Sequence, residues 1–194
     1  MASIVPIVEG QGEVEAVPEL LRRILHEMNA DHVTVLRPFR VKRNQVVREG
    51  KIERAVRQAL RDREEAGGIM VILDSDDDCP AELGPQLLER CRNSAPSIPV
   101  VVILAHREFE SWFLGAKESL RGRRGIREDA TISEDPEGIR GAKKRLSGNM
   151  EGARYLEVDD QPAFAAVMDL ETTRMNCPSF AKLVRDVEHL VSLL

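Results

Sequence analysis

Three short, nearly unbroken apolar runs stand out from an otherwise mixed chain: residues 4–8, 69–73 and 98–105. Runs of this length, rich in Ile and Val, read as strands buried on both faces. Residues 33–39 read as a further strand. Between the runs the apolar spacing changes to the helical period. Val14, Val17, Leu20, Leu21, Ile24 and Leu25 form one stripe within 13–28. Ile52, Ala55, Val56, Ala59 and Leu60 form another within 52–65, which Gly67-Gly68 stops. Pro80 opens a third helix carrying Leu83, Leu87, Leu88 and Cys91. The order β-α-β-α-β-α-β predicts a parallel sheet with helices on both faces.

Beyond residue 105 the pattern turns helical. A helix is expected from His106, with Trp112 on its apolar face. A charged, glycine-containing loop spans 122–136. A short basic helix is expected over 137–146, and further helices over 162–170 and 179–193. The predicted organisation is an α/β core at 1–115 and a mainly helical extension at 116–194, packed on the core within the same structural domain.

Composition narrows the chemistry. The chain has 194 residues, 42% of them hydrophobic, enough for a real core. Only 4% is aromatic, so base-stacking platforms are scarce. A net charge of -5 excludes a uniformly basic, nucleic-acid-coating surface. Phosphate binding then calls for a local basic strip, and Arg40, Lys42, Arg43, Arg121, Arg123 and Arg124 are the candidates. Cys79, Cys91 and Cys177 lack metal-ligand spacing and read as reduced thiols. With no leader pattern and no long apolar run, a cytoplasmic location without membrane contact is expected.

Two of the apolar runs end in acidic clusters. The first gives Glu9-Gly10-Gln11-Gly12-Glu13; the second gives Asp74-Ser75-Asp76-Asp77-Asp78. Ligands of open α/β sheets sit at the carboxyl ends of strands. Carboxylates converging there repel one another unless a hard cation such as Mg²⁺ lies among them. A dinucleotide loop fits poorly, because Glu15 stands where a third glycine belongs and Glu9 and Glu13 repel a pyrophosphate. A calcium loop fails, with Cys79 at its sixth position and Pro85 at its twelfth. An aspartyl phosphatase usually has Thr where Asp78 stands. A solvated turn capping the next helix is the bland alternative for 74–78.

The two clusters together resemble the Toprim signature, Glu-Gly-x-Gly-Glu after a first strand and Asp-x-Asp after a third. Topoisomerases, primases, recombination proteins and OLD-family nucleases share it. The segment His106-Arg107-Glu108-Phe109-Glu110-Ser111-Trp112-Phe113-Leu114 is similar to a small bacterial Toprim-like family related to RloB-type proteins. Tyr155, Asp160-Gln161-Pro162 and Cys177-Pro178-Ser179-Phe180 fit the same family, so the resemblance covers nearly the whole chain. It implies a Toprim-like (Rossmann-like) parallel sheet flanked by helices, with a helical C-terminal extension.

The resemblance also implies chemistry: a nuclease that hydrolyses phosphodiesters with Mg²⁺ or Mn²⁺. Glu9 is implied as a metal ligand or general acid/base, and Asp74 and Asp76 as metal ligands. Glu13 faces the same site from the first helical turn, and Asp78 is a candidate ligand of a second ion. Two ions about 4 Å apart activate water and stabilise the leaving oxygen. Glu110 and His106, just past the fourth strand, are either extra ligands or proton carriers, or else helix caps. Arg40, Lys42, Arg43 and Lys143 are candidate phosphate contacts. Lys143, with Lys144 and Arg145, equally fits the exposed face of a short helix. One departure matters: relatives often carry Lys two residues after the Tyr, where this chain has Glu157. Topoisomerase and primase chemistry need domains that 194 residues do not supply. The substrate is left open between DNA and RNA, and the oligomeric state, homo-oligomer included, is open too. The OLD resemblance implies an anti-phage or DNA-repair setting with a separate ATPase subunit. The alternative is a non-catalytic partner or sensor subunit of such a complex.

Overall fold

The computed structural model describes residues 2–42, 48–130, 134–152 and 154–194. Strand β1 (Ser3–Val8) leads into α1 (Glu13–Glu27), followed by β2 (Thr34–Val35) and β3 (Phe39–Arg40). Next come α2 (Lys51–Asp62), β4 (Gly68–Asp74), α3 (Pro80–Ser94) and β5 (Val100–Ala105). The remainder is helical: α4 (Glu110–Gly115), α5 (Lys117–Leu120), α6 (Ala142–Gly148), α7 (Glu157–Ala165), α8 (Leu170–Asn176) and α9 (Pro178–Ser192). The fold is therefore α/β, with a helical C-terminal stretch.

Every strand pairing is parallel. The sheet order is β2-β1-β4-β5, and β3 also pairs with β1. Alternate side chains go to opposite layers. Ile4, Val8, Met70, Ile72, Val101 and Ile103 pack with α1, α4, α7 and α9. Val5, Ile7, Ile69, Val71, Leu73, Val102 and Leu104 pack with α2 and α3. Each such side chain contributes about 1.5–3 kcal/mol on full burial. This two-sided burial is why the strands read as continuous apolar runs.

The strand expected over 33–39 is two short strands instead. The carbonyls of Ala2, Ile4 and Val8 face this side of β1, accepting the N–H groups of Thr34, Leu36 and Val41. Pro6 shares their parity but has no N–H to offer. Pro38 lies opposite this gap, and the register gains one residue between Ile4↔Val35 and Ile7↔Phe39. Two prolines thus interrupt one ladder.

Three helix boundaries also differ. The helix expected from His106 starts at Glu110, because Arg107 is left-handed (φ 64°) and the Phe109 N–H is taken by a side chain. The helix expected over 137–146 runs instead over α6. Gly141 (φ 73°) precedes it, and the Glu108 carboxylate accepts the Ala142 N–H at 3.0 Å. The helix expected over 162–170 begins earlier, at Glu157, and ends at Ala165. Edge strand β5 is covered by α9, whose Lys182 ammonium donates to the Val102 carbonyl at 2.9 Å. An aromatic cluster binds the C-terminal helices to the core: Phe109–Trp112 centroids lie 4.6 Å apart, Trp112–Phe180 5.4 Å, and Phe113–Phe164 5.4 Å. No helix is long and apolar enough to cross a membrane, among the described residues.

Candidate functional site

The site forms where β1 and β4, direct neighbours in the sheet, end side by side. Glu9 follows β1 and Glu13 opens α1. The Glu9 N–H donates to Glu13 Oε2 at 3.0 Å, folding the loop around that carboxylate. At Gly10 a Cβ would lie 2.7 Å from Glu13 Oε1 and would push that carboxylate out of its present position. At Gly12 the constraint is stricter. A Cβ there would lie 2.3 Å from both Gln161 Oε1 and the Glu157 carbonyl oxygen, so α7 approaches the loop at backbone distance.

Asp74 closes β4, and its Oδ1 accepts the Phe109 N–H at 2.7 Å. That bond sets the start of α4, so Glu110 points back at the strand ends. Glu110 is fully buried. Its Oε1 accepts hydrogen bonds from the Tyr155 hydroxyl and from Gln161 Nε2, both at 2.9 Å. Lys143 Nζ stands 4.0 Å from Glu110 Oε2 and 2.6 Å from Glu157 Oε1. Glu108, by capping α6, sets the direction from which Lys143 reaches in.

The electrostatics follow from crowding. Burial pushes the Glu13 carboxyl up to about 7; the Glu9 and Gly10 N–H groups oppose this, and the Glu9 and Glu110 charges add to it. Burial also raises Asp74 well above the ordinary carboxylate range, and repulsion from Glu13, Glu110 and Glu9 raises it further. Glu110 is raised by burial, against the pull of Lys143. Burial alone would lower Lys143, but the Glu110 and Glu157 carboxylates outweigh it and hold the ammonium charged.

Glu9, Glu13, Asp74 and Glu110 are thus brought within electrostatic reach of one another. Asp76 and Asp78 lie on the exposed turn after β4, Asp76 with φ 49°. Asp77, between them, pairs with Arg107 at 3.3 Å and Arg140 at 2.5 Å. Arg40 donates to the Glu9 carbonyl at 3.1 Å and to Gln11 Oε1 at 3.0 Å. Lys42 is exposed nearby, and Arg43 lies outside the described residues. The basic strip expected from both halves of the chain is not one strip of unpaired cations. Arg121 pairs with Glu118 at 3.0 Å and Arg124 with Asp160 at 3.1 Å. His106 turns its ring toward Glu137, 3.9 Å away, and its N–H donates to Ser179 Oγ.

Oxygen donors alone make up the acidic set, which suits Mg²⁺ or Mn²⁺ rather than a thiophilic metal. Glu110 Oε2 and Gln161 Oε1 are buried acceptors with no hydrogen bond among the described residues. Orphaned acceptors beside protonation-prone acids fit a cation. As they stand, however, no three His, Cys, Asp or Glu side chains among the described residues are grouped to hold an ion. Glu13, Asp74 and Glu110 are each turned toward protein donors. The roles of Tyr155, Gln161 and Lys143 in holding Glu110 were not readable from spacing. Two of them act across 45 and 51 residues.

The chain is similar in structure to the C-terminal region of the Xanthomonas campestris pv. campestris OLD protein. The TM-score is 0.46 and the identity 14%, over 98% of this chain and 96% of that one. No curated protein matches it. Residues 8–188 match the family described as Domain of unknown function (DUF4276), nearly the whole chain, and the protein belongs to that family.

Proposed function

We propose that the protein is a Toprim-type, Mg²⁺- or Mn²⁺-dependent nuclease that hydrolyses phosphodiesters of DNA or RNA. One observation carries the reading. Buried Glu13 and Glu110 and half-buried Asp74 and Glu9 crowd the ends of two adjacent parallel strands, with raised proton affinity at Glu13, Asp74 and Glu110 and with Lys143 beside them. Glu9, Glu13, Asp74 and Glu110 would hold the ion, and Asp76 and Asp78 would hold a second from the exposed turn. A bound ion supplies an activated water and charge neutralisation at the phosphate.

The residues of the chain supply the rest. Tyr155 and Gln161 fix the Glu110 carboxylate by two hydrogen bonds to one oxygen, leaving the other, itself buried, without a hydrogen bond among the described residues. Glu9, half-buried on the loop after β1, would take a proton from water. Lys143 offers the phosphate a cation from α6, on the side where relatives carry a Lys and this chain has Glu157. The proposed setting is anti-phage defence or DNA repair, with a separate ATPase subunit.

A second reading, a non-catalytic partner of an ATPase-containing complex, draws on the carboxylates being engaged by protein donors rather than preset around an ion. One experiment separates them. Single-stranded DNA, plasmid and tRNA are incubated with Mn²⁺ and wild-type protein, Glu9→Gln or Asp74→Asn. Cleavage by wild type and its loss in both variants is the expected result. Identical products from all three would remove the nuclease reading, and Mn²⁺ binding without cleavage would favour the second.

A further inference from the structure

We infer that two basic grooves, one on each flank of the acidic pocket, hold an extended polynucleotide strand across it, so that the substrate is a continuous strand cut internally. This rests on the nuclease reading and names its substrate class. The first groove, about 490 Å³, lies between the end of β3 and α2, and its charged lining is Arg40, Lys42, Lys51 and Arg54. The second, about 600 Å³, lies along α6 and the turn before it, and its charged lining is Arg127, Arg140, Lys144 and Arg145. Among the described residues, no carboxylate lines either groove. In the second groove Arg127 pairs with Asp129 at 3.2 Å and Arg140 with Asp77 at 2.5 Å, which leaves Lys144 and Arg145 to act there. In a chain of net charge -5, two concave surfaces that gather cations in this way are local anion sites.

Their placement ties them to the pocket. Strand β1 lies between β3 and β4 in the sheet. The first groove is joined to the Glu9 loop on the β3 side, through the Arg40 bond to the Glu9 carbonyl. The second is joined to the Asp74–Asp78 turn on the β4 side, through the Arg140–Asp77 pair. Lys143 stands between, on the same helix as Lys144 and Arg145 and reaching Glu110. Lys42, Lys51, Arg54, Lys144 and Arg145 are exposed and carry no ion pair among the described residues, so they are available.

Each groove alone is large enough for a nucleotide-sized group. A single small phosphoester cannot use both with the pocket between them; a strand with phosphates on both sides of the scissile bond can. The aromatic side chains are spent elsewhere. Trp112, Tyr155, Phe109, Phe113, Phe164 and Phe180 are buried, and only half-buried Phe39 lines a groove. The grooves therefore contact backbone rather than stack bases, which gives sequence-tolerant, salt-sensitive binding.

The test measures anisotropy of fluorescein-labelled oligo-dT and oligo-U of increasing length, with Mn²⁺, in a Glu9→Gln background that prevents cutting. Affinity should rise with length until both grooves are filled. The log–log salt slope should reach about −3.5, at roughly −0.7 for each of the exposed, unpaired cations engaged. Lys42→Ala/Lys51→Ala/Arg54→Ala should reduce the slope by about 2, and Lys144→Ala/Arg145→Ala by about 1.4. Each should weaken long strands on the order of tenfold. Length-independent affinity would overturn the inference, as would an unchanged slope in either variant or equal displacement by polyglutamate. In the Glu9-intact protein, unaltered strand cutting by both groove variants would overturn this inference while leaving the nuclease reading standing. Strand binding with these slopes but no cutting by the Glu9-intact protein would do the reverse. The DNA and RNA arms show which strand is held more tightly.

Discussion

Glu13 is the residue through which the acidic pocket should act on stability. Its carboxyl is almost wholly buried and raised from 4.5 to about 7. Because the folded value lies above the unfolded one, the folded protein holds a proton that the unfolded chain has released. Stability therefore falls as pH rises from about 4.5 through about 7, and the full cost is present above that. The size of the shift corresponds to about 3 kcal/mol. Glu13→Gln removes the charge and keeps an acceptor for the Glu9 N–H, but adds an amide N–H₂ that needs partners. An unmet buried donor costs about 1–3 kcal/mol. The metal-free variant should then be less stable than wild type near pH 5, by about 2 kcal/mol, and more stable near pH 8 by about 1 kcal/mol, or roughly 2–4 °C.

The diagnostic is the difference between the two proteins across pH, measured by urea unfolding in EDTA. That difference should change by about 3 kcal/mol between about pH 5 and pH 8. Other titrating groups largely cancel in it. Those that do not are Glu9, Asp74 and Glu110, which feel less repulsion once Glu13 is neutral and so steepen the difference. Added Mn²⁺ must displace these protons, so its stabilisation of wild type should grow with pH. In Glu13→Gln that growth should be smaller. Parallel stability–pH curves for the two proteins would refute the reasoning.

Two further outcomes are expected. Gly12→Ala forces a Cβ against the Glu157 carbonyl and Gln161, so α7 must shift; we expect a loss of about 1–3 kcal/mol in urea unfolding, with weaker Mn²⁺ binding by calorimetry, and an unchanged protein would show that the close approach is not real. Lys143→Met breaks a pair with half-exposed Glu157 that contributes under about 1 kcal/mol and removes the cation beside buried Glu110, which can answer by taking a proton, so melting should fall only modestly, whereas Mn²⁺-dependent cleavage should fall on the order of 100-fold; a loss of cleavage no larger than the loss of stability accounts for would make Lys143 structural.

Much of the fold is legible because the sheet is buried on both sides. β1, β4 and β5 then appear as apolar runs without alternation, and the stripes of α1 and α2 face them at the helical period. The misread strand at 33–39 shows the limit of run-counting. Its apolar content is right, but the ladder depends on which side of β1 lacks an N–H, and that is settled only once Pro6 is placed in register. Helix starts at Glu110 and Ala142 are set by the Asp74 and Glu108 carboxylates, 35 and 34 residues away. Local spacing carries no trace of such bonds. The same holds at the site. The β-α-β order does not itself place β1 beside β4; the acidic cluster that ends each run is what allows Glu9, Glu13 and Asp74 to be grouped from sequence. Tyr155, Gln161 and Lys143 join them only through the packing of α6 and α7.

The arrangement of α4 explains how so many acids are kept together. Glu110 and Trp112 lie on the same short helix. Trp112 is fixed by an indole N–H bond to Ser179 Oγ at 2.8 Å and by Phe109 and Phe180 on either side. Glu137 in turn accepts from the Ser179 N–H at 3.0 Å, and its buried carboxyl is raised mainly by burial. The helix cannot rotate Glu110 away from Asp74 without dragging the aromatic cluster with it. An aromatic cluster of this kind is worth several kcal/mol. That exceeds the cost of about 3 kcal/mol worked out for Glu13, most of which is burial with repulsion added, so the core holds the carboxylates in a dry, crowded position they would otherwise leave by swinging apart. The remaining relief comes from protons and from Lys143. On the proposed reading, a divalent cation would replace the protons with a stronger counter-charge, and ion binding and proton release would be one coupled event at this end of the sheet.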